Sequence, residues 1–396
     1  MTDTSANTPS VVDRTHLVSA GAPVIGAHFL DRTAVFVLGE ETLLLVAANG
    51  DERRLAAHAG GILGSASDGA RVVTGGDDGK VAATNASGDH EVTATDDKRR
   101  WIDRVAAGPD GAVAWSAGKL AFARTDGEIR SLEVVSTVGG LAFAPKGVRL
   151  AIAHYNGVTL WFPNAQAAPE KLEWKGSHHD VAFSPDGRFL VTAMQEPMLH
   201  GWRVVDGKHM RMSGYSARVR SFGWTAGGKW LATGGSDQLV LWPFQGKDGP
   251  MGKTPKMAAA FAVRAVVVAC HPKQEVVAVG YADGTVLLVR VEDGAEVLAK
   301  KPGGGAVSAL AWDAGGTLFA WGTEDGEAGW WTSVERAGRQ RDANSGCITR
   351  SPGAIPSLRA APALTSSTAR VAAPDRIKRV DRGVVFSAIR SIRPSS

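Results

Sequence analysis

The sequence predicts an all-β fold built from one repeated unit, and three observations predict it. A turn recurs eight times, ending at Thr33, Gly69, Gly111, Gly147, Gly187, Gly228, Gln274 and Gly316, at intervals of 36, 42, 36, 40, 41, 46 and 42 residues. The residue three places after it is apolar every time: Phe36, Val72, Ala114, Leu150, Leu190, Leu231, Val277 and Phe319. A second turn follows in most units, as GDDGK at 76–80, YNGV at 155–158, GSDQ at 235–238, YADGT at 281–285 and TEDGE at 323–327. Its Asp-Gly and Asn-Gly pairs supply the positive φ that tight hairpins require. A period near 40 residues means units that bury their faces only against neighbours, in an array or a closed ring. The expected architecture is a closed β-propeller of four-stranded blades, eight by this count. Seven is the alternative, if the first or the third unit is merged or irregular.

The clearest unit is 219–242, VRSFGWTAGGKWLATGGSDQLVLW. A first strand carries Phe222 and Trp224, a Gly-containing turn follows, a second strand runs to Thr233, and a third ends at Trp242. Four residues before the first turn, Phe29, Phe143, Phe183, Trp224 and Trp312 are aromatic, which suits positions facing a packed sheet. Outer strands are expected at 52–58, 129–135, 170–176 and 295–301, all polar and variable. The eighth unit lacks an outer strand of its own, and the strand-like RTHLVSA at 14–20 is expected to complete it and remove the open edges. The domain plan is therefore a flexible N-terminus at 1–13, the propeller at 14–332 and a tail at 333–396.

Units such as HHDVAFSPDGRFLVTAMQEPMLHGW and 219–242 resemble repeats of the WD40 family, in a degenerate, bacterial-type form. The family's hairpin Asp is kept as Asp78, Asp237, Asp283 and Asp325. A strand-ending Trp is kept as Trp161, Trp202 and Trp242, none followed by Asp, and the Gly-His position is reduced to His58 or His178. The resemblance implies that these Asp residues fix their blades through side-chain networks. Residues recurring once per unit are structural, and the three Trp are expected in the core between blades.

The net charge of +4 hides an asymmetry. Residues 333–396 hold 12 Lys plus Arg against 4 Asp plus Glu, a net +8, so the remainder carries −4. The tail is rich in Arg, Ser, Ala and Pro and has no period, so disorder is expected. The junction GEAGWWTS raises a frameshifted origin for it, since shifting a Val-Val codon pair by one base yields Trp-Trp. A basic tail for nucleic acid is the competing reading, weakened by the lack of interleaved aromatics. Two cysteines, Cys270 and Cys347, make no disulfide framework. No basic head with an apolar run opens the chain, and no apolar stretch reaches membrane-spanning length, so a cytoplasmic chain is expected.

In a propeller the residues before each first strand ring one mouth of the channel. Here they are Trp101, Asp103, Arg104, His178, His179, Asp180, Arg218, Arg220 and Arg264. Trp and Arg are typical anchors of protein interfaces, so this rim is the candidate partner surface. His178, His179 and Asp180 could also suggest a metal or general base, but packing is the favoured role and no metal or cofactor is expected. No Gly-x-Ser-x-Gly, His-Glu-x-x-His or phosphate loop occurs. The expectation is a monomeric, non-catalytic scaffold for unidentified proteins. The alternatives are a channel-based enzyme or small-ligand binder, and nucleic-acid association through the tail.

Overall fold

The computed structural model describes residues 9–333, so the tail expectations, including its disorder and frameshifted origin, lie outside the described residues with Cys347. Within them the chain forms antiparallel sheets, six of four strands and one of six. Counted as hydrogen-bonded sheets, the ring has seven blades, the alternative count. All eight sequence units are nonetheless traceable, because the fourth and fifth share the large sheet. Its strand Glu170–Phe183 pairs with Leu150–Trp161 through 170–177 and with Phe189–Met194 through 178–183. One continuous strand is thus the outer strand of the fourth unit and the inner strand of the fifth. Leu150–Trp161 likewise contains two strands, reversed at Asn156 and Gly157, whose φ values of 70° and 135° make the turn.

The periodic apolar positions explain the packing. All eight residues three places after the first turn are 0% exposed. Eight apolar clusters among the described residues each join two consecutive units, including one between the fourth and fifth. Fully burying one such Leu or Phe contributes roughly 1.5–3 kcal/mol. In units four to eight the residue before the first turn pairs directly with the one after it, as in Trp224 with Leu231 and Trp312 with Phe319. The first three units shift this register: Phe29 pairs with Ala34 and Ser65 with Thr74.

The N-terminal strand His16–Ser19 pairs antiparallel with Glu327–Thr332 and closes the ring. Its Val18 packs with Ala328 and Trp330, and the His16 ring stacks on Trp330 at 4.6 Å. One boundary is corrected. Residues 9–13, expected in a flexible N-terminus, lie along the outer strand Glu296–Lys300, where Leu298 N donates to Pro9 O at 2.8 Å and Val11 N to Leu298 O at 2.9 Å. Val11 is buried against Val297 and Trp331, which covers an edge that would otherwise be open.

Candidate functional site

Each link from an outer strand to the next inner strand meets a second hairpin at one end of the ring. Ala59 N donates to Asp78 Oδ2 at 3.1 Å, Tyr155 N to Ser136 Oγ at 2.8 Å, and Phe261 N to Asp237 O at 2.8 Å. Because antiparallel strands reverse direction, the first turns lie at the opposite end. At the centre of the link face two cavities of about 450 Å³ and 480 Å³ adjoin, and Arg218 and Arg220 line both.

Seven of the nine candidate rim residues come together here: Asp103, Arg104, His179 and Asp180 line the first cavity and Arg264 the second, with Arg218 and Arg220 between. Trp101 lines neither cavity, although it is 67% exposed. His178 corrects the candidate surface, because at 1% exposure it cannot touch a partner. Its ring sits in the wall, with Nδ1 2.7 Å from Thr192 Oγ1 and Nε2 3.0 Å from the Trp174 carbonyl. Glu324 lines the second cavity and was not singled out in the sequence, since it sits in a hairpin whose neighbouring Asp drew the turn assignment.

The charges at this mouth are unevenly matched. Arg104 is held in place, donating from Nε to Gly139 O and from Nη1 to Asp103 O, both at 2.7 Å, beside the Asp103 carboxylate at 3.6 Å. Close backbone approach makes this possible: a Cβ on Gly139 would lie 2.0 Å from the His178 carbonyl. Asp180 is reached by water yet surrounded by protein across the channel, and this desolvation raises its pKa against the pull of Val181 N–H, Arg104 and Arg218. Desolvation also lowers the His179 pKa, with Arg218 adding to the effect.

Arg218 is the strained member. Burial, then Arg220 and Arg104, lower its pKa, with Asp180 only partly opposing them. Its Nη1 donates to Gln195 Oε1 at 3.2 Å, while its buried Nε has no hydrogen-bond partner. Among the described residues Arg218, Arg220 and Arg264 make no salt bridge.

The recurrent Trp residues lie in the walls, and the recurrent Asp residues in the second hairpins, where Asp237 and Asp325 are exposed. Asp78 bonds His58 Nδ1 at 3.0 Å, and His58 Nε2 lies 2.9 Å from Thr74 Oγ1. Asp283 accepts from Thr285 N at 2.9 Å and Asp237 from Ser236 Oγ at 3.1 Å. Asp325 lies against Gly305, where an added Cβ would meet its carboxylate at 2.8 Å. Trp161, Trp202 and Trp242 are buried in three different clusters between units. The sixth unit builds its network from Tyr215, whose hydroxyl accepts from Trp242 Nε1 at 2.6 Å and reaches Thr233 Oγ1 at 2.8 Å. Sequence reasoning missed Tyr215 by searching for His. It also missed His200, fully buried, stacked on Trp174 at 4.0 Å and pushed by desolvation to a pKa of about 3. Burial raises the Cys270 thiol to about 12, which leaves it protonated and unreactive at neutral pH.

Among the described residues no group of three or more His, Cys, Asp or Glu is set to hold a metal ion, and no helix is long and apolar enough to cross a membrane.

Comparison with known proteins places the repeat. Residues 208–242 match the WD40 family model, described as "WD domain, G-beta repeat". A stretch of 158 residues, 37% of this chain, is 30% identical to "Centriole proteome protein 16" of Chlamydomonas reinhardtii. A stretch of 221 residues, 54% of the chain, is 26% identical to "Telomerase protein component 1" of Rattus norvegicus. These matches span only 7% and 8% of the two relatives' lengths. The crystal structure of the computationally designed Ika8 protein superposes with a TM-score of 0.66 at 17% identity, covering 80% of this chain and 98% of that one. That likeness concerns the fold alone.

Proposed function

We infer that this chain, which belongs to the WD40-repeat family of β-propellers, is a non-catalytic platform that engages protein partners at its arginine-lined mouth. Propellers of this family serve generally as protein-binding scaffolds, and the specific surface is the new element of the reading. One observation carries it: Arg218 and Arg220 line two adjoining cavities at the centre of one face, and neither has an ionic partner among the described residues. Arginine at the centre of a surface is a frequent source of binding energy. Exposed Trp101, Val135, Tyr155 and Phe261 occupy links or hairpins of the same face and supply apolar contact area. The channel acids fit this role better than catalysis. Asp103 is occupied by Ser116 and Arg104, and Asp180 accepts from the Val181 N–H. The proposed setting is the cytoplasm, and the proposed form is a monomer.

The test is affinity capture from the native lysate with the full chain, comparing wild type with Arg218→Glu/Arg220→Glu/Arg264→Glu. The expected result is a partner recovered in stoichiometric amount by the wild type and lost by the variant, with the variant's circular dichroism unchanged. Equal recovery by both would move the partner surface away from the mouth.

A further inference from the structure

We propose that the mouth recognises carboxylate side chains, so that its partner presents an extended acidic segment whose Asp or Glu residues enter the two adjoining cavities. The inference rests on the mouth being the partner surface and adds the chemistry of the partner. Arg218 and Arg220 stand between cavities of about 450 Å³ and 480 Å³, and Arg264 lines the second. Each cavity has room for several side-chain atoms, and the shared arginines allow one peptide to cross both.

Charge gives the direction. Four arginines face three acids around this mouth, and the acids are unevenly placed. Asp103 is committed to Arg104 and to Ser116 Oγ at 3.1 Å. Asp180 is held by the Val181 N–H at 2.8 Å. Glu324 makes no salt bridge with Arg264 among the described residues, although both line the second cavity. Arg218, Arg220 and Arg264 therefore retain donors that no protein carboxylate uses. The Arg218 Nε is buried without a hydrogen-bond partner, so a ligand carboxylate would meet the guanidinium at its outer nitrogens. A guanidinium presents its donors in a planar fork that fits a carboxylate in bidentate fashion. A cationic segment would add to the Arg218–Arg220 repulsion, and an apolar one would leave the donors unmet.

The apolar surroundings favour a peptide over a free small acid. Trp101, Val135, Tyr155 and Phe261 are exposed on the same face, where residues flanking an acidic run would pack. A nucleic acid could also neutralise the arginines, but its affinity would fall steeply with salt as counterions are released. It is the outcome to be separated.

The experiment is fluorescence anisotropy with the full chain and a fluorescein-labelled peptide of eight Glu flanked by Leu and Phe, at 50 and 200 mM NaCl. Three variants are compared: Arg218→Gln/Arg220→Gln/Arg264→Gln, the same three positions changed to Lys, and Lys146→Gln/Lys229→Gln/Lys273→Gln, which removes equal charge from the first turns at the opposite end. The mouth Gln variant is expected to bind on the order of tenfold weaker or worse, equivalent to ~1.4 kcal/mol. The Lys variant should bind between it and wild type, and the opposite-end variant like wild type. Equal weakening by the two Gln variants would overturn the site, because net charge alone would explain it. Absence of peptide binding to wild type, or tighter binding of a labelled single-stranded oligonucleotide, would overturn carboxylate recognition. If capture from lysate is lost in the mouth variant while the acidic peptide never binds, the platform reading stands and this inference falls.

Discussion

Arginines on the outside of the ring and arginines at its mouth are treated differently. Outside, Arg149 pairs with Glu170, Arg188 with Asp186 at 2.6 Å, Arg203 with Asp206 and with Asp248 at 2.9 Å, and Arg290 with Asp293. At the mouth, Arg218, Arg220 and Arg264 stand near Asp180 and Glu324 but make no salt bridge among the described residues. The outer pairs are formed mostly by Asp residues two or three places away or in the adjoining loop, so local chain geometry suffices. At the mouth the residues come from several units, with Arg218 and Arg220 from the sixth and Arg264 from the seventh, so a partner would have to be supplied by the ring or from outside. The comparison teaches that ionic satisfaction here follows the nearness of a local carboxylate and not the presence of a cavity, since the paired Arg149, Arg188 and Arg203 also line one of about 700 Å³.

Charge reversal at the mouth should have the largest effect, removing partner capture while leaving the fold intact. The converse comes from the wall. Tyr215→Phe deletes the hydroxyl between Trp242 and Thr233 and strands the buried indole N–H, so it should cost about 1–3 kcal/mol in urea unfolding and leave partner capture unchanged. If it also abolished capture, mouth and wall would not be separable.

A smaller effect tests the outer pairs. Hydrogen bonds from Arg290 hold the Asp293 carboxyl at a pKa of about 2, below the ordinary aspartate value of 3.8. A depressed acid contributes stability above its unfolded pKa and loses it as pH falls toward the folded one. Arg290→Gln should therefore cost about 0.2–1 kcal/mol at pH 6, with the difference from wild type closing between about pH 4 and pH 2. A constant difference across that range would show that packing, not the ion pair, was removed. Smallest of all, Arg218→Gln relieves repulsion from Arg220 and Arg104 and should change stability by no more than about 0.5 kcal/mol, toward greater stability. A clear loss would mean that Arg218 already has its partner within the fold.

The period of the turns made the architecture legible, because inward positions such as Leu190 and Phe319 must be apolar whatever their partners are. The closing strand was legible too, since RTHLVSA has strand-like character and the last unit lacked an outer strand. The blade count was less so: only hydrogen bonding decides whether Glu170–Phe183 runs on as one strand, and the sheet continues there. Most of the rim was readable from position alone, because residues before an inner strand must ring the mouth. His178 escaped that rule because one step along an extended strand turns a side chain from channel to wall. Tyr215 escaped because the wall requires a hydrogen-bonding ring atom near Thr233, not a particular residue type.

The most direct test of the difference between mouth and outer arginines is a proton–nitrogen correlation spectrum of the chain labelled with ¹⁵N-arginine, recorded as the acidic peptide is added. The account predicts that the Nε–H resonance of Arg218 moves first and furthest, followed by Arg220 and Arg264, while those of Arg149, Arg188 and Arg203 stay in place. Movement of the outer set, or a still Arg218 signal at saturating peptide, would contradict it.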